Sequence, residues 1–248
     1  MQGRGWALVT GAARRIGRAL ALAAADAGYD VVVHHHGSPG EAAETARLVR
    51  ARGVQAQALA AELADAGACR DLPRRAPGPV TLLVNSASVF EDDRIETLTP
   101  QGWDRALAAN LRAPVLLAQA FAAALPADRE GQIVNIVDQR VLRPTPQFFS
   151  YFVSKAGLWA ATRTLAQALA PRIRVNAIAP GPTLASVHQS PEAFAAETRA
   201  VLLGHGPSLQ DLGQALAYLV DAASVTGQMI AVDGGQHLAW LTPDIVDP

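Results

Sequence analysis

Cysteine is almost missing from this sequence of 248 residues, in which Cys69 stands alone. A single thiol excludes an internal disulfide and leaves no cysteine cluster for zinc. Charge is also sparse: 17% of residues are Asp, Glu, Lys or Arg, with a formal net charge of -1. That balance excludes a surface for non-specific nucleic-acid binding or a polybasic membrane patch. No apolar run approaches the roughly 20 residues that span a bilayer. No secretory signal is evident ahead of the first apolar segment, so a cytoplasmic location is expected. No linker rich in Pro, Gly or Ser divides the chain and no internal repeat is visible, which predicts one domain over residues 1–248. What the sequence does hold is apolar residues, 50% of the total, enough for a large buried core.

Those apolar residues fall into short runs at Trp6–Thr10, Asp30–His35, Val54–Leu59, Val80–Asn85, Gln132–Val137, Arg172–Ile178 and Gln228–Val232. Alanine-rich helical stretches separate them, notably Arg18–Ala27, Glu41–Arg52, Pro100–Leu125, Tyr151–Ala170 and Leu209–Val220. Strands alternating with helices in this way predict an α/β, doubly wound parallel sheet of about seven strands with helices on both faces. One long irregular stretch is expected over residues 181–207, entered through Pro180. It follows the carboxyl end of a strand, where open α/β sheets bind ligands, and so reads as a substrate-binding lid.

The first strand feeds into Thr10-Gly11-Ala12-Ala13-Arg14-Arg15-Ile16-Gly17. Small residues there let backbone amides approach a pyrophosphate, and the following helix adds positive potential at its amino terminus. The turn therefore predicts a dinucleotide site. At the end of the second strand, where an enzyme for NAD usually carries Asp or Glu, the residues are His34-His35-His36-Gly37-Ser38. His36, Ser38 and Arg14 suit a 2′-phosphate, which favours NADP(H); Glu41 is the counter-candidate for NAD. A metal site on the three histidines is rejected, because His34 and His36 face one side of a strand and His35 the other.

Tyr151 and Lys155 form the spacing Y-x-x-x-K, and residues four apart share a helix face. A cation beside a phenol favours phenolate, so Lys155 is expected to bring Tyr151 toward useful acidity. Thirteen positions upstream stands Asp138.

Together these residues resemble the short-chain dehydrogenase/reductase family over nearly the whole chain. The likeness runs through the Thr10–Gly17 turn, Glu62-Leu63, Asn85-Ser86-Ala87, Asn110, Tyr151 with Lys155, Asn176 to Pro180-Gly181, Val225-Thr226-Gly227 and Val232-Asp233-Gly234-Gly235. It implies a tetramer packed through long central helices. It also implies catalytic roles for Asn110, Tyr151 and Lys155, with Asn110 supporting a water behind the lysine. Arg15 stands where many members have glycine, Ser88-Val89-Phe90 departs from their usual loop, and Asp138 replaces their serine. This combination looks like the pteridine reductases and dihydromonapterin reductases. That likeness implies substrate contacts from Arg15, Ser88, Phe90, Asp138 and Tyr151. Gly37 departs from the arginine those reductases often carry.

An ionised carboxylate accepts hydrogen bonds and cannot donate one to a ketone. Unless burial keeps it protonated, Asp138 therefore suits a substrate bearing N–H groups, or a relay of protons to Tyr151. The expected activity is reduction of a pterin by NADPH, with Tyr151 as proton donor. The alternatives are an NADP-dependent carbonyl or 3-oxoacyl reductase and a non-catalytic NADPH-binding regulator. Plainer roles stand beside each assignment: core packing for Phe90, a loop cap for Asp138, a turn for Ser88, a solvated charge for Arg15, packing or a subunit interface for Trp159.

Overall fold

The computed structural model describes residues 3–186 and 189–240. Its sheet has seven parallel strands: β1 (Trp6–Val9), β2 (Asp30–His35), β3 (Ala56–Ala60), β4 (Val80–Asn85), β5 (Gly131–Ile136), β6 (Ile173–Pro180) and β7 (Met229–Val232). Their spatial order is β3-β2-β1-β4-β5-β6-β7, so the chain reverses its winding direction between β1 and β4. Ligands of open α/β sheets bind at such a switch, outside the carboxyl ends of the strands.

Alternation along the strands sends side chains to two separate cores. Ala7, Val9, Val31, Val33, Leu82, Val84, Val134 and Ile136 pack on one face. There they meet α1 (Arg15–Asp26), α2 (Pro39–Arg50) and α8 (Leu209–Asp221) through Leu20, Ala46 and Leu212. Trp6, Leu8, Val32, Leu83, Ile133 and Val175 pack on the other. Their partners are α3 (Ala66–Asp71), α5 (Ala113–Ala124) and α6 (Phe149–Leu169), through Cys69, Phe121 and Ala166. Fully buried strands explain the continuous apolar runs. Truncating one of them, as in Leu8→Ala, should cost about 2–5 kcal/mol.

Three expectations need correction. Helix α7 (Pro191–Arg199) lies inside the stretch expected to be irregular; Ser190 Oγ accepts from Ala193 N at 3.2 Å and Pro191 opens the first turn. Residues 187–188 of that stretch lie outside the described residues. Second, Pro100–Ala124 forms one continuous 25-residue helical run, apolar enough by length and composition to cross a bilayer, although no segment was expected to be. Half of its most apolar window is buried in the protein, and the apolarity serves the core against α3 and the sheet. It comprises α4 (Pro100–Leu107), a π turn (Ala108–Arg112) and α5. Third, β3 begins at Ala56 rather than Val54, and α6 begins at Phe149 rather than Tyr151.

Candidate active site

At the switch point the backbone of Gly11 passes against Ala87. A Cβ on Gly11 would lie 2.9 Å from Ala87 Cα, and Gly11 has φ +63, so both space and conformation demand glycine. Thr10 Oγ1 holds the two strand ends together by accepting from Ser86 N at 2.9 Å and Ala87 N at 3.0 Å. His34 locks the turn from the other side. Gly11 N donates to its Nδ1 at 3.1 Å, which leaves Nε2–H to donate to Ala61 O at 3.1 Å. Burial keeps this imidazole neutral, its pKa pushed down to about 4. His34 is thus a structural strut joining β2, the turn and the end of β3.

A cavity of about 1020 Å³ opens above these strand ends. Of the residues expected at the cofactor, Gly11, Arg14, Arg15, Ile16, Gly17, His36, Ser38, Glu62, Leu63, Ser86, Ala87, Pro180 and Gly181 line it. Helix α1 points its amino end there, and Arg14 at the cap position contributes no side-chain cap. Among the described residues Glu41 is not in the wall, while His36 reaches Glu62 at 3.3 Å. Asn85 departs from expectation: its side chain is buried beneath the cavity and donates to Asn135 Oδ1 at 2.8 Å.

Arg15 occupies the backbone position where glycine was expected, and it adopts the left-handed conformation a glycine would take, with φ +53. Such a conformation costs an ordinary residue about 1–2 kcal/mol. Its guanidinium crosses the cavity and donates to Ala185 O at 2.8 Å, tying the turn to the segment after β6. Arg15 is therefore more than a solvated charge.

The other end of the cavity holds Asp138, Tyr151, Ser88 and Phe90. Asp138 follows β5 and Tyr151 sits in the first turn of α6. The phenol donates to Asp138 Oδ2 at 2.8 Å, while Oδ1 accepts from Arg140 N at 2.8 Å. Asp138 thus caps the following turn and also engages Tyr151. Lys155 is 2% exposed and donates to Ile136 O at 2.7 Å.

The expected acidification of Tyr151 by Lys155 does not occur in this arrangement. Burial and then the Asp138 carboxylate raise the phenol well above its usual 10. Burial lowers Lys155 to about 8, opposed by attraction to Asp138, and burial raises Asp138 as well. Desolvation by burial is the largest influence on all three groups.

Asn110 lies in the π turn, a departure from α geometry that recurs at functional sites. It lies outside the cavity wall and clamps the loop carrying Ser88 and Phe90. Its Oδ1 accepts from Val89 N at 2.8 Å and Ser88 Oγ at 3.2 Å, and its Nδ2 donates to Val89 O at 2.9 Å and Ser154 Oγ at 3.0 Å. Phe90 stacks on Phe148, with centroids 4.3 Å apart, and meets the Tyr151 ring edge-on at 4.7 Å. A flat ligand has to stack on this pair or displace Phe148.

Sequence reasoning missed Gln139, Arg140, Phe148, Gln189 and Glu197, all in the wall. The first two were signalled only by adjacency to Asp138. Phe148, with φ +55, is a second non-glycine residue in left-handed conformation. Glu197, on α7, accepts from Gln189 Nε2 at 2.7 Å and Gln236 Nε2 at 3.0 Å, a lid contact hidden by the mistaken irregular stretch. Gln139 is 5% exposed, and its Oε1 has no hydrogen-bond partner among the described residues.

Comparison with known proteins agrees with this geometry. The profile of a family described as enoyl-(acyl carrier protein) reductase matches residues 11–237. The 3-oxoacyl-[acyl-carrier-protein] reductase FabG of Staphylococcus epidermidis is 31% identical, covering 94% of this chain and 98% of that protein. Among solved structures, FolM alternative dihydrofolate reductase 1 from Brucella suis, in complex with NADP, is 49% identical with a TM-score of 0.92, covering 97% of this chain and 98% of that one. Its counterpart from Brucella canis, also complexed with NADP, is 48% identical with a TM-score of 0.94, and the match covers 99% of both chains. This chain belongs to the short-chain dehydrogenase/reductase family and is an oxidoreductase.

Proposed function

We propose that this protein uses NADPH to reduce a C=N bond of a dihydropteridine, in the class of dihydromonapterin, dihydrobiopterin and dihydrofolate. The observation that carries this reading is the Tyr151 phenol donating to the Asp138 carboxylate at 2.8 Å, beside the Phe90 ring. A carboxyl oxygen of Asp138 can accept from the N–H groups that a pterin presents and a simple ketone lacks. The likeness to two Brucella proteins described as alternative dihydrofolate reductases supports the same substrate class.

NADP(H) is the cofactor. Its fit rests on the uncapped amino end of α1, the close backbone passage at Gly11, and the unpartnered Gln139 amide oxygen in the wall. The Gly11–Gly17 turn with Arg15 and Ile16 would hold the pyrophosphate. Arg14, His36 and Ser38 would hold the 2′-phosphate, and Glu62, Leu63, Ser86 and Ala87 would flank the adenosine half. Lys155, Pro180 and Gly181 would hold the nicotinamide half. When bound, NADPH supplies the hydride.

The protein's own residues supply the proton. Tyr151 gives its phenolic proton to the ring nitrogen beside the reduced carbon. Asp138, reached from the cavity, returns a proton to the phenolate. Lys155 stabilises the phenolate electrostatically, and Asn110 keeps Ser88 and Phe90 at the site by holding their loop. Arg15, bonded to Ala185 O, and Glu197 on α7 bound the cavity on the substrate side. A homotetramer in the cytoplasm accompanies this reading, and sedimentation would measure its mass.

A second reading, an NADP-dependent carbonyl or 3-oxoacyl reductase, is favoured by the FabG relatives. A non-catalytic NADPH-binding regulator would have no use for the Asp138–Tyr151 pair. The test follows NADPH oxidation with dihydropterins, dihydrofolate and a panel of ketones side by side. Turnover of dihydropterins is expected. Ketone turnover with no pterin response would transfer the assignment to the second reading, and NADPH binding without any turnover to the regulator.

A further inference from the structure

Asp138 meets Arg140 twice. The backbone N–H of Arg140 donates to Asp138 Oδ1 at 2.8 Å, and its guanidinium Nη1 lies 3.6 Å from Oδ2. Oδ2 is also the oxygen that accepts the Tyr151 phenol. The same guanidinium sits 5.4 Å from the centroid of Phe148 and 5.9 Å from that of Phe90. Arg140 thus joins the carboxylate to the aromatic wall of the cavity, and it lines that cavity itself.

We propose that Arg140 is a positioning residue that governs whether Asp138 carries a proton of its own beside the protonated Tyr151 phenol. The proposal rests on the assignment of Asp138 and Tyr151 as the proton-delivering pair. When Asp138 is ionised, the phenolic hydrogen is committed to Oδ2 and cannot point at substrate. When Asp138 is protonated, its own O–H can donate to the Tyr151 oxygen, which frees the phenolic hydrogen for the substrate nitrogen. Each turnover then moves one proton from Tyr151 to that nitrogen and one from Asp138 to the phenolate, and solvent in the cavity reprotonates Asp138.

Among the described residues, the charged and titratable groups facing Asp138 are three. From its own turn comes Arg140, and from α6 come Tyr151 and Lys155, whose ammonium is directed at Ile136 O. Burial favours the protonated carboxyl, and Arg140 is the nearest opposing cation. Turnover should therefore fall as pH rises through the Asp138 titration. Removing Arg140 should move that fall to higher pH.

The test is carbon-13 NMR of the Asp138 carboxyl in the cofactor-free protein, with Asp138→Asn identifying the resonance, alongside kcat against pH for whichever substrate turns over. Arg140→Met, with Arg140→Gln as the alternative should the methionine variant misfold, should raise the Asp138 midpoint by about 1 unit or more, as expected for losing an opposite charge at this range. The basic limb of kcat should move with it. Arg140→Lys should restore most of the wild-type midpoint. An unmoved midpoint in the neutral variants, or a moved midpoint with an unmoved kcat limb, would overturn the proposal. The NMR arm needs no substrate, so absence of pterin turnover would remove the pterin reading without touching the role of Arg140.

Discussion

The two ends of the cavity are built by different means. At the proton end, Tyr151 is 8% exposed, Lys155 2% and the Asp138 side chain 15%, and each is held by a fixed partner. At the phosphate end, the His36 side chain is 66% exposed, and Arg14 and Arg15 are solvent-facing cations on a turn. A proton moved between two atoms demands positions fixed by packing and backbone hydrogen bonds. A phosphate demands backbone amides on a fixed turn with positive charge within reach, and exposed side chains can supply that charge. Substitutions at the proton end should therefore act on turnover, and those at the phosphate end on affinity and the stability of the turn.

The largest expected effect is at the proton end. Tyr151→Phe removes the proposed donor and leaves the proposed phosphate end intact, so kcat should fall about 10²–10⁴-fold while NADPH affinity, read by fluorescence titration, stays unchanged. Retained turnover would remove Tyr151 as donor and break the division between the two ends.

Lys155 offers a second probe, because it is the single lysine in the sequence. Its ε-ammonium should give one nitrogen-15 side-chain signal titrating near 8 rather than the usual 10.5 in the cofactor-free protein. Because the folded value is depressed, the associated stability is present above about 10.5 and is lost as pH falls through about 8. A midpoint above 10 would mean that burial is not what governs this group.

A smaller effect is expected at the phosphate end. Arg15→Ala loses the contact with Ala185 and keeps the left-handed backbone, whereas Arg15→Gly loses the contact and relieves the strain. The glycine variant should be the more stable of the two by about 1 kcal/mol in urea unfolding. Equal stabilities would mean that Arg15 is not strained in solution.

Most of the fold was legible because fully buried parallel strands leave uninterrupted apolar runs between helices, as Val31–Val33 and Leu82–Val84 do. Helix α7 was not legible, since none of its residues is buried and its start rests on the Ser190 cap and Pro191. At the site, adjacency on α6 revealed Tyr151 and Lys155, and the departure from serine revealed Asp138. The direction of the Lys155 ammonium was invisible, because only the packed strand β5 puts Ile136 O within its reach. Arg140, Phe148 and Glu197 were hidden for a similar reason: their roles come from rings and carboxylates brought together by folding, across gaps that no spacing rule connects. The structural role of His34 was not legible, because its work is done through one tautomer held between two backbone groups.

If a carboxylate working with Tyr151 directs this site toward pterins, exchanging it for serine should reverse the substrate preference. The most direct measurement compares wild type with Asp138→Ser, following NADPH oxidation with a dihydropterin and with a simple ketone. Dihydropterin turnover should fall steeply while ketone turnover holds or rises. Undiminished dihydropterin reduction by the serine variant would contradict that role of the carboxylate.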